Sequence, residues 1–91
     1  MNVKFTPSAR IQLLEGFDYI RQDNPQAAVR FYEKVEKSLR RLENFSASGR
    51  TIPEYPSLPY REVIIPPYRF FYRVAEKTVW IIAVRDRKSV V

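Results

Sequence analysis

Ninety-one residues make one small domain and leave no room for a second. With 45% apolar and 14% aromatic residues the chain can close a core, which excludes wholesale disorder. No apolar run approaches the roughly eighteen residues of a membrane span, and residues 1–7 lack the apolar stretch of a secretory signal. No membrane partner is expected, and the cytoplasm is the expected compartment.

Cysteine and histidine are both absent. That removes disulfides, the usual zinc sites, and Ser-His or Cys-His nucleophile pairs. Sixteen Lys/Arg against ten Asp/Glu give a net charge of +6, which suits an anionic partner. The surplus is uneven. Residues 1–45 carry eight basic and six acidic side chains, whereas residues 46–91 carry eight and four. The second half also holds seven of the thirteen aromatics. A mixed-charge, helix-like half is thus followed by an aromatic, basic, strand-like half, and both are too short to be anything but layers of one fold.

Asn2–Phe5 reads as a short extended opener. Thr6-Pro7 then gives a capping threonine and a proline suited to the first helical position. Ala9, Leu13, Phe17 and Ile20, flanked by Leu14, recur at helical spacing and predict one apolar stripe. Asn24-Pro25 repeats the capping signal, and Ala28, Tyr32, Val35, Leu39 and Leu42 predict a second helix. So short a connection forces an antiparallel helix hairpin. Residues 45–59, with Gly49, Pro53, Pro56 and Pro59, read as a loop. Three strands are predicted over 60–65, 68–75 and 78–84, joined by Pro66-Pro67 and Glu76-Lys77, which makes them antiparallel neighbours. The predicted architecture is α+β: a helix hairpin on one face of an antiparallel sheet, in a single domain over residues 1–91.

Alternation along the strand 68–75 sends Tyr68, Phe70, Tyr72 and Val74 to one face and Arg69, Phe71, Arg73 and Ala75 to the other. The first set is the natural partner for the helices. The second leaves two arginines bracketing a phenylalanine on the uncovered face. Arg61 stands with Val63 and Ile65 on the preceding strand, and Arg85, Arg87 and Lys88 lie at the end of the last one. Such arginines either keep an exposed face soluble or form a phosphate-binding surface, since the guanidinium fork matches phosphate oxygens and an interleaved aromatic stacks on an unpaired base. The same geometry serves an acidic protein surface. Glu54 and Glu62 read as solvated acids paired with nearby arginines, and Tyr55 and Tyr60 as packing residues. No carboxylate pair has metal-site spacing, so neither metal nor cofactor is expected.

The order strand, helix hairpin, loop, three strands resembles the RelE/ParE superfamily of toxins from bacterial type II toxin–antitoxin systems. The matching stretches are Asp23-Asn24-Pro25-Gln26-Ala27-Ala28, Ser48-Gly49-Arg50, Tyr60-Arg61-Glu62-Val63 and Tyr68-Arg69-Phe70-Phe71-Tyr72-Arg73-Val74. The resemblance implies a growth inhibitor neutralised by a cognate antitoxin. RelE-like members cut mRNA on the ribosome with basic sheet residues, often helped by a C-terminal tyrosine or histidine; ParE-like members poison DNA gyrase. Carried over, the nuclease pattern makes Arg61, Arg69, Arg85 and Arg87 the catalytic candidates. Yet Val63 stands where RelE-like enzymes often have another cation, Arg85 stands in the place of the histidine, and Val90-Val91 offer no tyrosine. The departures and the Gly49-Arg50 loop lean toward the ParE-like branch.

Three functions therefore remain in view: a gyrase inhibitor, a metal-independent ribosome-dependent endoribonuclease, or a module that only binds antitoxin or nucleic acid. For target or nucleic-acid binding the candidates are Arg50, Arg61, Arg69, Phe71, Arg73, Arg85, Arg87 and Lys88. Under the nuclease reading, Arg69→Ala is expected to abolish cutting while leaving stability nearly unchanged, because that arginine is expected in solvent.

Overall fold

The structure, a computed structural model, describes residues 1–87. Its elements are strand β1 (Asn2–Phe5), helices α1 (Pro7–Asp23) and α2 (Pro25–Asn44), and strands β2 (Arg50–Thr51), β3 (Arg61–Ile65), β4 (Tyr68–Ala75) and β5 (Thr78–Asp86). The sheet order is β1-β5-β4-β3-β2. The predicted α+β architecture is the observed one.

Both helices begin where the capping signals lie. The Thr6 hydroxyl accepts from the Ala9 N–H at 3.2 Å. The Asn24 side chain accepts from Gln26 and Ala27 at 3.1 and 3.2 Å, while its backbone N–H closes α1 onto the Ile20 carbonyl. One asparagine therefore ends the first helix and starts the second, satisfying orphan groups on both sides. The two helices are left no freedom but to fold back on each other.

One face of the sheet packs against the helices. Ala9, Phe31, Val35, Leu42, Ile65, Phe70, Tyr72, Val79, Ile81 and Val84 are buried together, with Leu13, Phe17, Ile20, Leu39, Val63 and Tyr68 packed around them. Two predicted core positions move. Phe31 rather than Tyr32 enters the core; Tyr32 stays 53% exposed and meets Phe17 edge-on at 6.4 Å. Val74, assigned to the helix side, is 43% exposed; it lies beyond Tyr72, the last residue of β4 that β3 flanks.

Three further features lay outside the sequence reading. The sheet is mixed: β1 runs parallel to β5, with Lys4 opposite Trp80, so β5 has neighbours on both sides, as its apolar character implies. A short strand β2, inside the segment read as loop, pairs with β3. The register between β4 and β5 also shifts between Phe71 and Tyr72, which face Ala83 and Ile81. Ile82 is the extra residue of a β-bulge, and parity flips across it. Ile81 and Val84, three apart, thus both reach the core, and the Val84 N–H is taken by the Gln12 side chain at 2.8 Å.

The β4–β5 hairpin turns through Glu76 and Lys77 with φ of 50° and 65°. A two-residue turn of this kind demands positive φ at both positions, where side chains with a Cβ are strained by about 1–2 kcal/mol. Lys77→Gly removes that strain at the cost of some unfolded-chain entropy. The expected outcome is a gain of about 0.5–1 kcal/mol, read as a thermal midpoint a few degrees higher by circular dichroism.

Candidate functional site

The sheet face away from the helices holds the residues expected to form a basic surface, but it is not uniformly open. Arg69 is only 5% exposed and Phe71 3%. The guanidinium of Arg69 donates from Nε to Glu62 Oε2 at 2.7 Å and from both Nη atoms to the two Glu54 oxygens at 2.9 Å. Its Cζ lies 4.9 Å from the centre of the Phe71 ring. Glu54 comes from the segment between β2 and β3, which crosses this end of the sheet. Arg69 therefore does not stand in solvent. A guanidinium fixed on a strand interior recruits carboxylates, and two were available in that segment and the adjoining strand.

Glu62 is 1% exposed, not the solvated acid it was read as. Its second oxygen accepts from Arg50 Nε at 2.8 Å. Arg50, on β2, keeps most of its side chain in solvent. The pairing of Glu54 and Glu62 with arginines is as expected, and Glu54 keeps its contact with solvent; only the burial of Glu62 departs from the expectation. The Arg69 hydrogen bonds hold the Glu54 carboxyl far below its ordinary range, at about 2, and the same contacts raise Arg69 further.

Arg61 lies on the other face. It is cross-strand from Tyr72, and its Nη1 donates to the Gly49 carbonyl at 2.8 Å. The Tyr72 hydroxyl donates to the Ser46 carbonyl at 2.7 Å and accepts from the Gly49 N–H at 2.9 Å. Burial raises the Tyr72 phenol above its usual value. Arg61 and Tyr72 together pin the chain leaving α2 onto the sheet. Only glycine fits at position 49, since a Cβ there would lie 2.5 Å from the Tyr72 hydroxyl and 2.8 Å from the Glu62 carbonyl.

Arg73, Arg85 and Arg87 are exposed. Arg85 is cross-strand from Arg69, placed on that face by the bulge. Arg87 follows β5 and donates its N–H to the Pro67 carbonyl. Arg73 pairs across the hairpin with Trp80, at the far end of the sheet. Lys88 lies outside the described residues. The candidates thus separate into a neutralised cluster (Arg50, Arg69, Phe71), a structural clamp (Arg61) and exposed cations at both ends of β5. Tyr55, read as a packing residue, is 45% exposed. The signal for the clamp was present in Ser48-Gly49-Arg50 and Tyr72, but nothing in spacing joined residues 23 positions apart.

A two-helix hairpin roofing a five-stranded sheet, with a basic outer face partly shielded by its own loop, defines a small two-layer α+β domain. The chain belongs to the family described as ParE toxin of type II toxin–antitoxin system, parDE, which it matches over residues 3–91. It is similar in structure to the chromosomal ParDE toxin–antitoxin system from P. aeruginosa, with a TM-score of 0.75 and 19% identity over 94% of this chain and 95% of that one. It is also similar to a YoeB/ParE toxin from Agrobacterium tumefaciens (TM-score 0.62, 18% identity, 94% and 98% covered). A YoeB–YefM complex from Staphylococcus aureus gives 0.57 and 20% identity over 93% and 94%. At these identities the likeness is one of fold. No curated protein matches the sequence.

Two predictions follow from the buried pair. Arg69→Ala leaves Glu62 buried with one partner fewer and is expected to destabilise the fold by about 3 kcal/mol, not to leave it unchanged; chemical denaturation reads this directly. The second concerns acid. A carboxyl whose native pKa is depressed adds stability above its unfolded value, the ordinary 4.5, and loses it as pH falls toward about 2. Glu54→Gln should therefore flatten stability between those limits, with little change in slope above pH 5 or so.

Proposed function

We propose that the chain is the toxin of a toxin–antitoxin pair that arrests growth by acting on DNA gyrase, as ParE-like toxins do, rather than by cutting RNA. The observation that carries this reading is Arg69, the arginine that would stabilise a cleaved phosphate: it is buried against Glu54 and Glu62. Arg61, the second member of the nuclease pattern, is bound to a backbone carbonyl on the opposite face.

Proton transfer is equally poorly served. Cleavage at a ribose needs a base for the 2′-hydroxyl and an acid for the leaving oxygen, both best near neutral pKa. Guanidinium groups do not give up protons, Glu54 is too weak a base at about 2, and the Tyr72 hydroxyl is engaged at both donor and acceptor sites. Arg85 and Arg87 offer charge alone, which serves binding.

A cognate antitoxin fits the remaining surface. The outward groove between α1 and α2, about 310 Å³, is lined by Leu13, Leu14, Phe17, Phe31, Tyr32, Val35, Glu36 and Leu39, and a groove of that kind takes the apolar face of a helix. The net charge of +6 favours an acidic segment that folds on contact. Solved structures with this fold include toxin–antitoxin complexes, among them the heterotetrameric YoeB–YefM complex from Staphylococcus aureus.

Purified toxin added to DNA gyrase is expected to inhibit supercoiling, and co-purified antitoxin to restore it, while transcripts in cells expressing the toxin alone stay intact. Unchanged supercoiling at large toxin excess, with mRNA cut in ribosome-bound frames, would replace this reading with the endoribonuclease.

A further inference from the structure

The end of the outer face that the Glu54 segment leaves open carries an ordered row of side chains. Trp80 on β5 is directly opposite Lys4 on β1 and opposite Arg73 on β4. Three adjacent strands therefore present cation, indole, cation in one line, with about 4.8 Å between neighbours. Both cations are exposed and the indole is half-buried. The Lys4 ammonium sits 5.9 Å from the centre of the indole, so the ring already faces positive charge. Beside this row is a shallow cavity of about 400 Å³ lined by Thr6, Tyr60, Arg73, Trp80 and Ile82.

The lining is aromatic, aliphatic and cationic, without a carboxylate among the described residues. The face's two known acids, Glu54 and Glu62, are committed to Arg69 and Arg50 farther along the sheet. Opposite charges facing each other across a ladder stabilise it; here a tryptophan takes the place between two cations.

We propose that this row binds single-stranded nucleic acid, with Trp80 stacking on an unpaired base while Lys4 and Arg73 hold the phosphates on either side. Stacking platforms flanked by cations are the usual solution for sequence-tolerant binding of single strands. An aromatic fixed on a central strand is already held rigid, and the Tyr60 ring and Ile82 wall the cavity that receives the base. A duplex keeps its bases stacked on one another and gains only from the charges. A polyacidic peptide likewise engages Lys4 and Arg73 but leaves the indole uncovered. The site lies at the opposite end of β5 from Arg85 and is independent of the gyrase reading.

Trp80 is the only tryptophan in the chain, so its fluorescence reports this site alone. Titrating the 91-residue chain, free of antitoxin, with a short oligothymidylate is expected to quench that emission. Two phosphate contacts on a single strand give a log–log salt slope of about −1.4. The double variant Lys4→Gln, Arg73→Gln is expected to weaken binding about tenfold or more with an unchanged thermal midpoint, since neither side chain is buried. A duplex of equal length and polyglutamate serve as comparators. No quenching by oligothymidylate overturns the proposal. So does equal quenching by polyglutamate, which would make this an acidic-peptide site, or by the duplex, which would remove stacking. Unchanged affinity in the folded double variant does the same.

Discussion

The pair between Arg69 and Glu62 constrains more of this molecule than any other contact. Both side chains are almost wholly buried, on neighbouring strands of the sheet and on the side the helices do not reach. Two charges removed from water cost several kcal/mol each before their attraction is counted, so the pair is not a source of stability by itself. Its effect is to dictate what lies nearby. A lone carboxylate leaves most of Arg69's five donors unmet. Glu54 takes two of them in a bidentate contact and with it brings the segment between β2 and β3 over the sheet. Arg50 meets Glu62's other oxygen and fixes β2 at the edge. The cover on half of the outer face exists because the charges under it require partners.

A second constraint acts at the opposite side of the same strands. Tyr72 reaches through the core to the chain leaving α2 and holds it by two hydrogen bonds, and Arg61 adds a third contact at Gly49. The absence of a side chain at Gly49 lets the Tyr72 hydroxyl approach where a methyl group would overlap it. Helix hairpin, loop and sheet are joined at one point, so the loop that carries Arg50 starts from a fixed position. The two arginines of Ser48-Gly49-Arg50 and Tyr60-Arg61-Glu62-Val63 thus serve packing on opposite faces, although they are close in the chain's ladder.

The elements were legible because their signals are local. Thr6-Pro7 and Asn24-Pro25 mark both helix starts, and the 3.6-residue recurrence of Ala9, Leu13, Phe17 and Ile20 marks the buried face of the first. The run Tyr68–Ala75 matches β4 residue for residue. What escaped was set by contacts between residues far apart. Alternation assigned Arg69 correctly to the outer face but said nothing of what covers it, since Glu54 is brought there by a loop whose path no periodicity encodes. Phe31 displaced Tyr32 because α2 is rotated to bring its Phe31 ring against Tyr68 at 5.6 Å, a choice between adjacent aromatics that spacing leaves open. Arg85 sits on the same face as Arg69 only because a bulge inserts Ile82, and a strand rich in apolar residues on both sides gives no hint of where parity will flip.

Charge on the outer face follows from these accidents of cover. Arg69 and Arg50 are matched by Glu54 and Glu62, so the β4-β3-β2 side of that face is close to neutral. Arg85 and Arg87 stay exposed at the C-terminal end of β5, and Lys4 and Arg73 at its N-terminal end, separated by the five residues from Trp80 to Arg85, or about 16 Å. A net charge of +6 suggests a diffuse attraction for any polyanion, but the surface shows two basic poles along β5, with the balanced Arg69 cluster beside the Arg85 pole. A partner that engages both poles must run the length of β5, whereas one that engages a single pole gains from the side chains beside it: an acid-matched arginine cluster near Arg85, an indole near Arg73. The sign of the charge selects anions in general, and the placement of Trp80 is what distinguishes one class of anion from another.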